Sequence, residues 1–201
     1  MDKPTDRNEI MGRPSKSEER REQILDAFER IILRDGYAKA SQRKIAEEAD
    51  LNQPMIHHYF SGQNELLDAF LARIISRYSQ ALNEFVQSNE APSLEQVISF
   101  VCSDDFHKIS RQNEVFFCLI GQGGFGDEMF QKLSSVYHRF LQEIICHLEQ
   151  ANIANAEHLA YMIMCFVIGH DWAKKLGFGE HRNEKVAHDL LSLAKLSCTE
   201  S

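Results

Sequence analysis

The residues whose chemistry is easiest to read lie between Ser41 and Phe60, in the stretch SQRKIAEEADLNQPMIHHYF. Gln53 carries an amide that can pair with the N6/N7 edge of adenine, and Arg43 can reach a guanine or a phosphate. Lys44 adds a second cation beside it. Asn52 has the side chain of a helix N-cap, and Pro54 falls in the first turn, where a missing N–H costs nothing. A helix start of this kind offers free N–H groups and a positive dipole end, both favourable to phosphate. His57 and His58 follow on the outward face. Both imidazoles can donate a ring N–H to a phosphate oxygen.

Other constellations are weaker. Gly121 to Gly126 spells G-x-G-x-x-G behind VFFCLI (115–120), which could be a buried strand. A dinucleotide site needs a second strand, but the chain after Gly126 holds a single helical stripe from Phe130 to Leu148. The glycines read better as an inter-helix loop beside a pocket. The nine histidines never repeat at i, i+4 on a helix, so no metal site is expected. The five cysteines (Cys102, Cys118, Cys146, Cys165, Cys198) are scattered, odd in number and mostly within apolar runs, which points to buried reduced thiols. No Ser-His-Asp or Cys-His signature is legible, so the chain is expected to be no enzyme, with no catalytic residues and no cofactor.

These side chains need elements to hold them. A first helix is expected over Ser15–Asp35, with Ser15 and Glu18 at capping-box spacing, Ile24, Leu25, Phe28, Ile31 and Ile32 as its buried stripe, and Gly36 as a left-handed stop. A second, Gln42 to Ala49, is capped by Ser41 and has Ile45, Ala46 and Ala49 on its inner face. Asp50-Leu51-Asn52 makes the turn, with Leu51 filling the angle between helices. Met55, Ile56, Tyr59 and Phe60 anchor the third helix. A fourth, from about Gly62 to Ser88, is too long for a three-helix module and connects it to the rest. Beyond Pro92 the expected helices are Leu94–Ser110, Asn113–Ile120, Asp127–Ala151, Asn155–Leu176 and Asn183–Leu196.

With 201 residues and 43% hydrophobic content a sizeable core is within reach. No run of eighteen apolar residues is present and the N-terminus is polar, so neither a membrane span nor a secretory signal is expected, and the cytoplasm is the default location. The net charge of −8 argues against nucleic acid only until it is divided. Residues 1–62 carry 11 basic and 12 acidic side chains, against 11 and 18 in residues 63–201. Arg13, Lys16, Arg20, Arg21, Arg43 and Lys44 could therefore gather on one face.

Residues 20–71 resemble the TetR family of bacterial transcription regulators. The resemblance is carried by the Ile24/Leu25/Phe28 stripe, Gly36-Tyr37, Ser41-x-x-x-Ile45-Ala46-x-x-Ala49-x-Leu51-Asn52, Ile56-His57-x-Tyr59-Phe60 and Asn64-Glu65-Leu66-Leu67. It implies an all-α chain: an N-terminal three-helix helix-turn-helix DNA-binding domain, joined by a long fourth helix to a helical effector-binding and dimerisation domain. The expected divisions are a flexible arm (1–14), the DNA-binding domain (15–62, motif 41–60) and the ligand-binding and dimerisation domain (63–201). The DNA-contact set implied is Arg43, Lys44, Asn52, Gln53, Met55, His57, His58, Tyr59 and Gln63. Here Asn52 replaces the usual Ser or Thr, Pro54 a common Gly, His57 the usual phosphate-binding Tyr and Gln63 the usual Lys.

The expected function is a homodimeric regulator, most simply a repressor, released from a palindromic double-stranded DNA operator by a small apolar or aromatic effector. The alternatives are an activator, or a helix-turn-helix adaptor that binds a protein without DNA. Bulky aromatics crowd the middle of the chain, and the candidate pocket residues are Phe100, Phe106, Phe116, Phe117, Phe125, Tyr137, His170 and Trp172. The stretch Leu159 to Ala173 is apolar nearly all round and must be covered on both sides. With the chain's last helix it suggests a four-helix dimer interface through Met162, Phe166, Leu190 and Leu193.

Overall fold

The computed structural model describes residues 15–89, 92–103, 106, 111–121, 128–178 and 187–192. Among them every regular element is helical: α1 (Lys16–Asp35), α2 (Gln42–Glu48), α3 (Gln53–Tyr59), α4 (Gln63–Ser88), α5 (Leu94–Val101), α6 (Arg111–Ile120), α7 (Glu128–Gln150) and α8 (Ala156–Lys175). A short 3-10 turn spans Tyr37–Lys39, and residues 187–192 are also helical. No described helix is long and apolar enough to cross a membrane. The arm 1–14 (with Arg13), Gly123, Gly124, Phe125, Gly126, Leu193 and Cys198 lie outside the described residues.

The first three helices form because their caps and apolar periods agree. Ser15 and Glu18 close a reciprocal capping box at the start of α1. The α1 stripe (Ile24, Leu25, Ala27, Phe28, Ile31, Ile32) is buried against Ile45 and Ala46 of α2, Ile56 of α3 and Leu66 and Phe70 of α4. Phe28 meets Phe70 edge to face at 5.6 Å. Full burial of each such side chain contributes roughly 1.5–3 kcal/mol, so this stripe is the main tie among the four helices.

The turn after α2 is a Schellman closure: Asp50 N–H donates to the Glu47 carbonyl (3.3 Å) and Leu51 N–H to the Ala46 carbonyl (2.9 Å). The residue that turns the chain is Asp50, at φ 53°, where glycine would be the strain-free choice. Gly36, expected as a left-handed stop, does take a positive φ of 88° but with ψ 155°, a conformation open to glycine, and its N–H closes on the Ile32 carbonyl at 3.0 Å.

One expected element differs. The fifth helix ends at Val101 rather than Ser110, and beyond it Ser103 Oγ accepts the Phe106 N–H at 3.2 Å. The VFFCLI run lies in helix α6, in line with the expected helix Asn113–Ile120 and against the strand option, with Val115, Phe116 and Leu119 fully buried on one face. Helices α4, α7 and α8 pack together as the second layer, and α6 also touches α1.

Candidate nucleic-acid interface and effector cavity

The α3 helix is cut to expose one side. Asn52 Oδ1 accepts the Met55 N–H at 2.9 Å, which fixes the first turn. Ile56 and Phe60 are fully buried below it, while Asn52, Gln53, Pro54, His57 and His58 are exposed. Met55 and Tyr59 are half-buried between the two sides, and His58 meets the Tyr59 ring edge-on at 5.1 Å. Arg43 and Lys44 stand exposed at the start of α2. Among the described residues Arg43 is held only by Glu47 one turn on, at 3.1 Å, a surface pair worth little and easily surrendered to a phosphate. Gln63, half-buried, turns its amide back to the Tyr37 carbonyl at 3.3 Å.

Three polar residues that sequence reasoning did not single out as supports brace this surface. Arg21, expected on the free basic face, instead donates to the Tyr59 carbonyl at 3.0 Å and covers the Phe60 ring at 4.4 Å. It thereby caps the C-terminal end of α3 with a cation. Gln23 donates to the Ala49 carbonyl at 2.6 Å, pinning the end of α2 to α1. Glu48 is gripped by Arg30 and Arg34, each at 2.9 Å, and these hydrogen bonds lower its carboxyl pKa. The spacing between Arg30 and Arg34 was visible as one helical turn, but their common partner lies on another helix.

The second layer encloses an apolar cavity of about 50 Å³. Its walls are Tyr78 and Leu82 of α4, Val101 and Phe106, Tyr137, Phe140, Glu143 and Ile144 of α7, and four side chains of α8 from Ile163 to Ile168. Of the expected pocket residues, Phe106 and Tyr137 line it. Phe116 is buried behind the wall, with its ring 5.2 Å from that of Tyr137. Phe100 is stacked on Phe85 at 4.2 Å, outside the lining. Phe117 pairs with Trp172 at 4.2 Å, Trp172 being 44% exposed, and His170 stacks on Phe166 at 5.3 Å. Aromatic content alone could not show which ring faces the void. Tyr78, Phe140 and Glu143 were missed in the pocket set because they sit within ordinary helical stripes.

Residues 24–70 match the family model described as bacterial regulatory proteins, tetR family. These residues are a TetR-family DNA-binding domain. The chain is 27% identical over 139 residues to the HTH-type transcriptional regulator PksA of Bacillus subtilis, covering 68% of this chain and 67% of that one. It is 35% identical over 72 residues to the HTH-type nicotine-responsive transcriptional repressor HdnoR of Paenarthrobacter nicotinovorans, a match covering 36% of this chain and little more than a third (37%) of that protein. Among solved structures, the transcriptional regulator FadR from Bacillus subtilis in complex with stearoyl-CoA superposes with a TM-score of 0.66 at 16% identity, over 86% of this chain and 96% of that one. At that identity the likeness is one of fold: this chain shares the helical second layer as well as the helix-turn-helix.

The remaining expected sites lie on α8 and on the helical residues 187–192. Met162 and Phe166 of α8 are half-buried, and Leu190 is buried. The exposed side of α8 carries Tyr161, Cys165, Gly169, Trp172 and, just beyond its last residue, Leu176. The cysteines were expected to be buried: Cys102 is, and burial pushes its thiol pKa up to about 11, but Cys146 and Cys165 are exposed.

Proposed function

We propose that this protein is a homodimeric, TetR-family DNA-binding regulator that acts as a repressor in the cytoplasm and leaves a palindromic operator when a small molecule fills the α4–α5–α7–α8 cavity. The reading divides the chain into an arm (1–14), a DNA-binding domain (15–62) and a ligand-binding and dimerisation domain (63–201). Gln53 reads a base edge, and Arg43, Lys44, His57 and His58 take phosphates, with Asn52, Met55, Tyr59 and Gln63 shaping the contact. Two α3 helices roughly 34 Å apart enter successive major grooves.

The observation that carries this reading is the double duty of α4. Tyr78 and Leu82 form part of the cavity wall. One turn earlier on the same helix, Arg73 is ion-paired to Glu22, Asp26 and Glu29 of α1. A ligand that parts the walls must move α4, and α4 carries α1 and the reading helix with it. This is a population shift between a DNA-matched and an unmatched spacing.

Dimerisation is supported by the exposed apolar stripe on α8. Tyr161, Cys165, Gly169, Trp172 and Leu176 follow at helical spacing, with 61%, 44% and 63% exposure for Tyr161, Trp172 and Leu176. Nothing among the described residues lies within 4 Å of a Cβ placed on Gly169, so a partner helix can approach closely there. The test of the whole reading is selection of bound sequences from random DNA by the full chain, repeated with small apolar ligands. A twofold-symmetric sequence whose binding falls steeply with salt is expected. Recovery of no preferred sequence would sink it.

A further inference from the structure

Among the described residues the cavity wall contains one charged side chain. Of the twelve residues that line it, Glu143 alone carries a charge, and none is Lys or Arg. Its Oε1 accepts the Ser79 hydroxyl at 2.6 Å. One turn away on its face of α7 stand Arg139, which is exposed and outside the lining, and His147, whose buried Nδ1 has no hydrogen-bond partner. Burial lowers the His147 pKa, so its ring is neutral at pH 7 and supplies no counter-charge. The same lining includes the rings of Tyr78, Phe106, Tyr137 and Phe140, with Tyr78 edge-on to Phe140 at 4.5 Å. A carboxylate in an apolar wall without a cation is costly, whereas ring faces and a carboxylate together are the surroundings that stabilise a desolvated cation.

The geometry points to an organic cation with an apolar body, an amine or a quaternary ammonium, as the effector class this cavity takes. The inference rests on the reading of the cavity as the effector site. The cationic head takes the place beside Glu143 that no side chain of the wall fills, and the apolar body spreads between α7 and α8. The void has room for only a few water molecules, so such a ligand must push Tyr78 and Ser79, and α4 with them, away from α7. A carboxylate head group of the fatty-acid kind would meet the Glu143 charge with nothing to offset it.

The test is calorimetric titration of the full chain with a series of equal length and different charge: octyltrimethylammonium, 1-octanol and octanoate, below their micelle concentrations in about 150 mM salt. The cation is expected to bind at one site per chain, on the order of tenfold tighter than the alcohol, with octanoate weakest. Glu143→Gln, which keeps the acceptor for Ser79, should bring the cation and the alcohol level. Tyr78→Leu leaves Glu143 in place and should weaken the cation alone, several-fold. If the alcohol or octanoate binds wild type as tightly as the cation, the charge assignment is overturned and the cavity still stands as a binding site. Binding of none of the three overturns the cavity reading together with the inference. A cation preference that persists in folded Glu143→Gln assigns it to the acidic surface and overturns the role of Glu143.

Discussion

Arg73 Nη1 lies 2.6 Å from the Asp26 carboxylate, joining α4 to α1 through a guanidinium that is only 7% exposed. Glu22 and Glu29 complete the cluster at 3.1 and 2.8 Å. Two of the three acids are about half exposed, and Arg77 stands 3.6 Å from Glu22, so part of the charge can be compensated if Arg73 is lost. Removing one partner of a buried pair costs roughly 3–5 kcal/mol. With this exposure we expect about 2 kcal/mol for Arg73→Met, read as a lower urea midpoint. The same variant should show a smaller effect of effector on DNA affinity than wild type. Full retention of that effect would remove Arg73 from the coupling.

Gln53 and Arg43 are exposed next to each other's helix starts, so their truncation should not unfold the chain. Gln53→Ala should relax base preference at one operator position by about 1–3 kcal/mol. An equal loss across all operator sequences would make Gln53 a phosphate contact. Arg43→Ala should weaken binding to every sequence and reduce the salt slope by about one. Affinity measured against salt for both variants separates the two roles.

His147 sets a pH dependence of stability. Burial depresses its folded pKa below the unfolded value of about 6.5. The unfolded chain therefore binds more protons as pH falls, and the contribution present above about pH 6.5 is lost as pH drops through the folded value. His147→Met should flatten the stability profile between about pH 7 and pH 5. Chemical denaturation across that range checks it; an unchanged slope would assign the dependence to other histidines.

The α8 stripe makes a direct prediction for assembly. Trp172→Glu combined with Tyr161→Glu places two charges on the exposed side of α8, away from the buried Ile163 and Val167. Sedimentation equilibrium should show the wild type as a dimer and the double variant as a monomer with unchanged helical content. A dimeric double variant would move the interface off this face.

Asp50 holds φ 53° at the turn between α2 and α3. Left-handed backbone costs a non-glycine residue roughly 1–2 kcal/mol, less for Asp, and glycine pays more entropy on folding. Asp50→Gly should therefore raise stability by about 0.5–1 kcal/mol. Asp50→Val should lower the melting temperature; the opposite order would mean that the turn relaxes.

The sequence alone determined the helical fold, the two-part organisation and the helix-turn-helix. Each of these rests on local signals: Ser15, Ser41 and Asn52 at caps, Ile24 to Ile32 at helical period, Leu51 after a turn. Apolar periodicity and capping act within a few residues, so they are legible along the chain without its neighbours in space. The same order of residues also places Gln53, His57 and His58 on the face opposite Ile56 and Phe60, because that arrangement comes from 3.6 residues per turn.

Only the tertiary structure decided which side chains meet across helices. Arg21 looked like any other cation of an exposed turn until Tyr59 and Phe60 were brought over it, 38 residues on. Arg73 interrupts the apolar stripe of α4 and finds its carboxylates 44 to 51 residues earlier in the chain. The cavity is the sharpest case. Phe100, Phe106, Phe116 and Tyr137 are alike as aromatic residues, yet Phe106 and Tyr137 line the void while Phe100 and Phe116 do not. The rotation of each helix about its axis, set by packing of all its neighbours at once, makes that choice, and no local pattern encodes it.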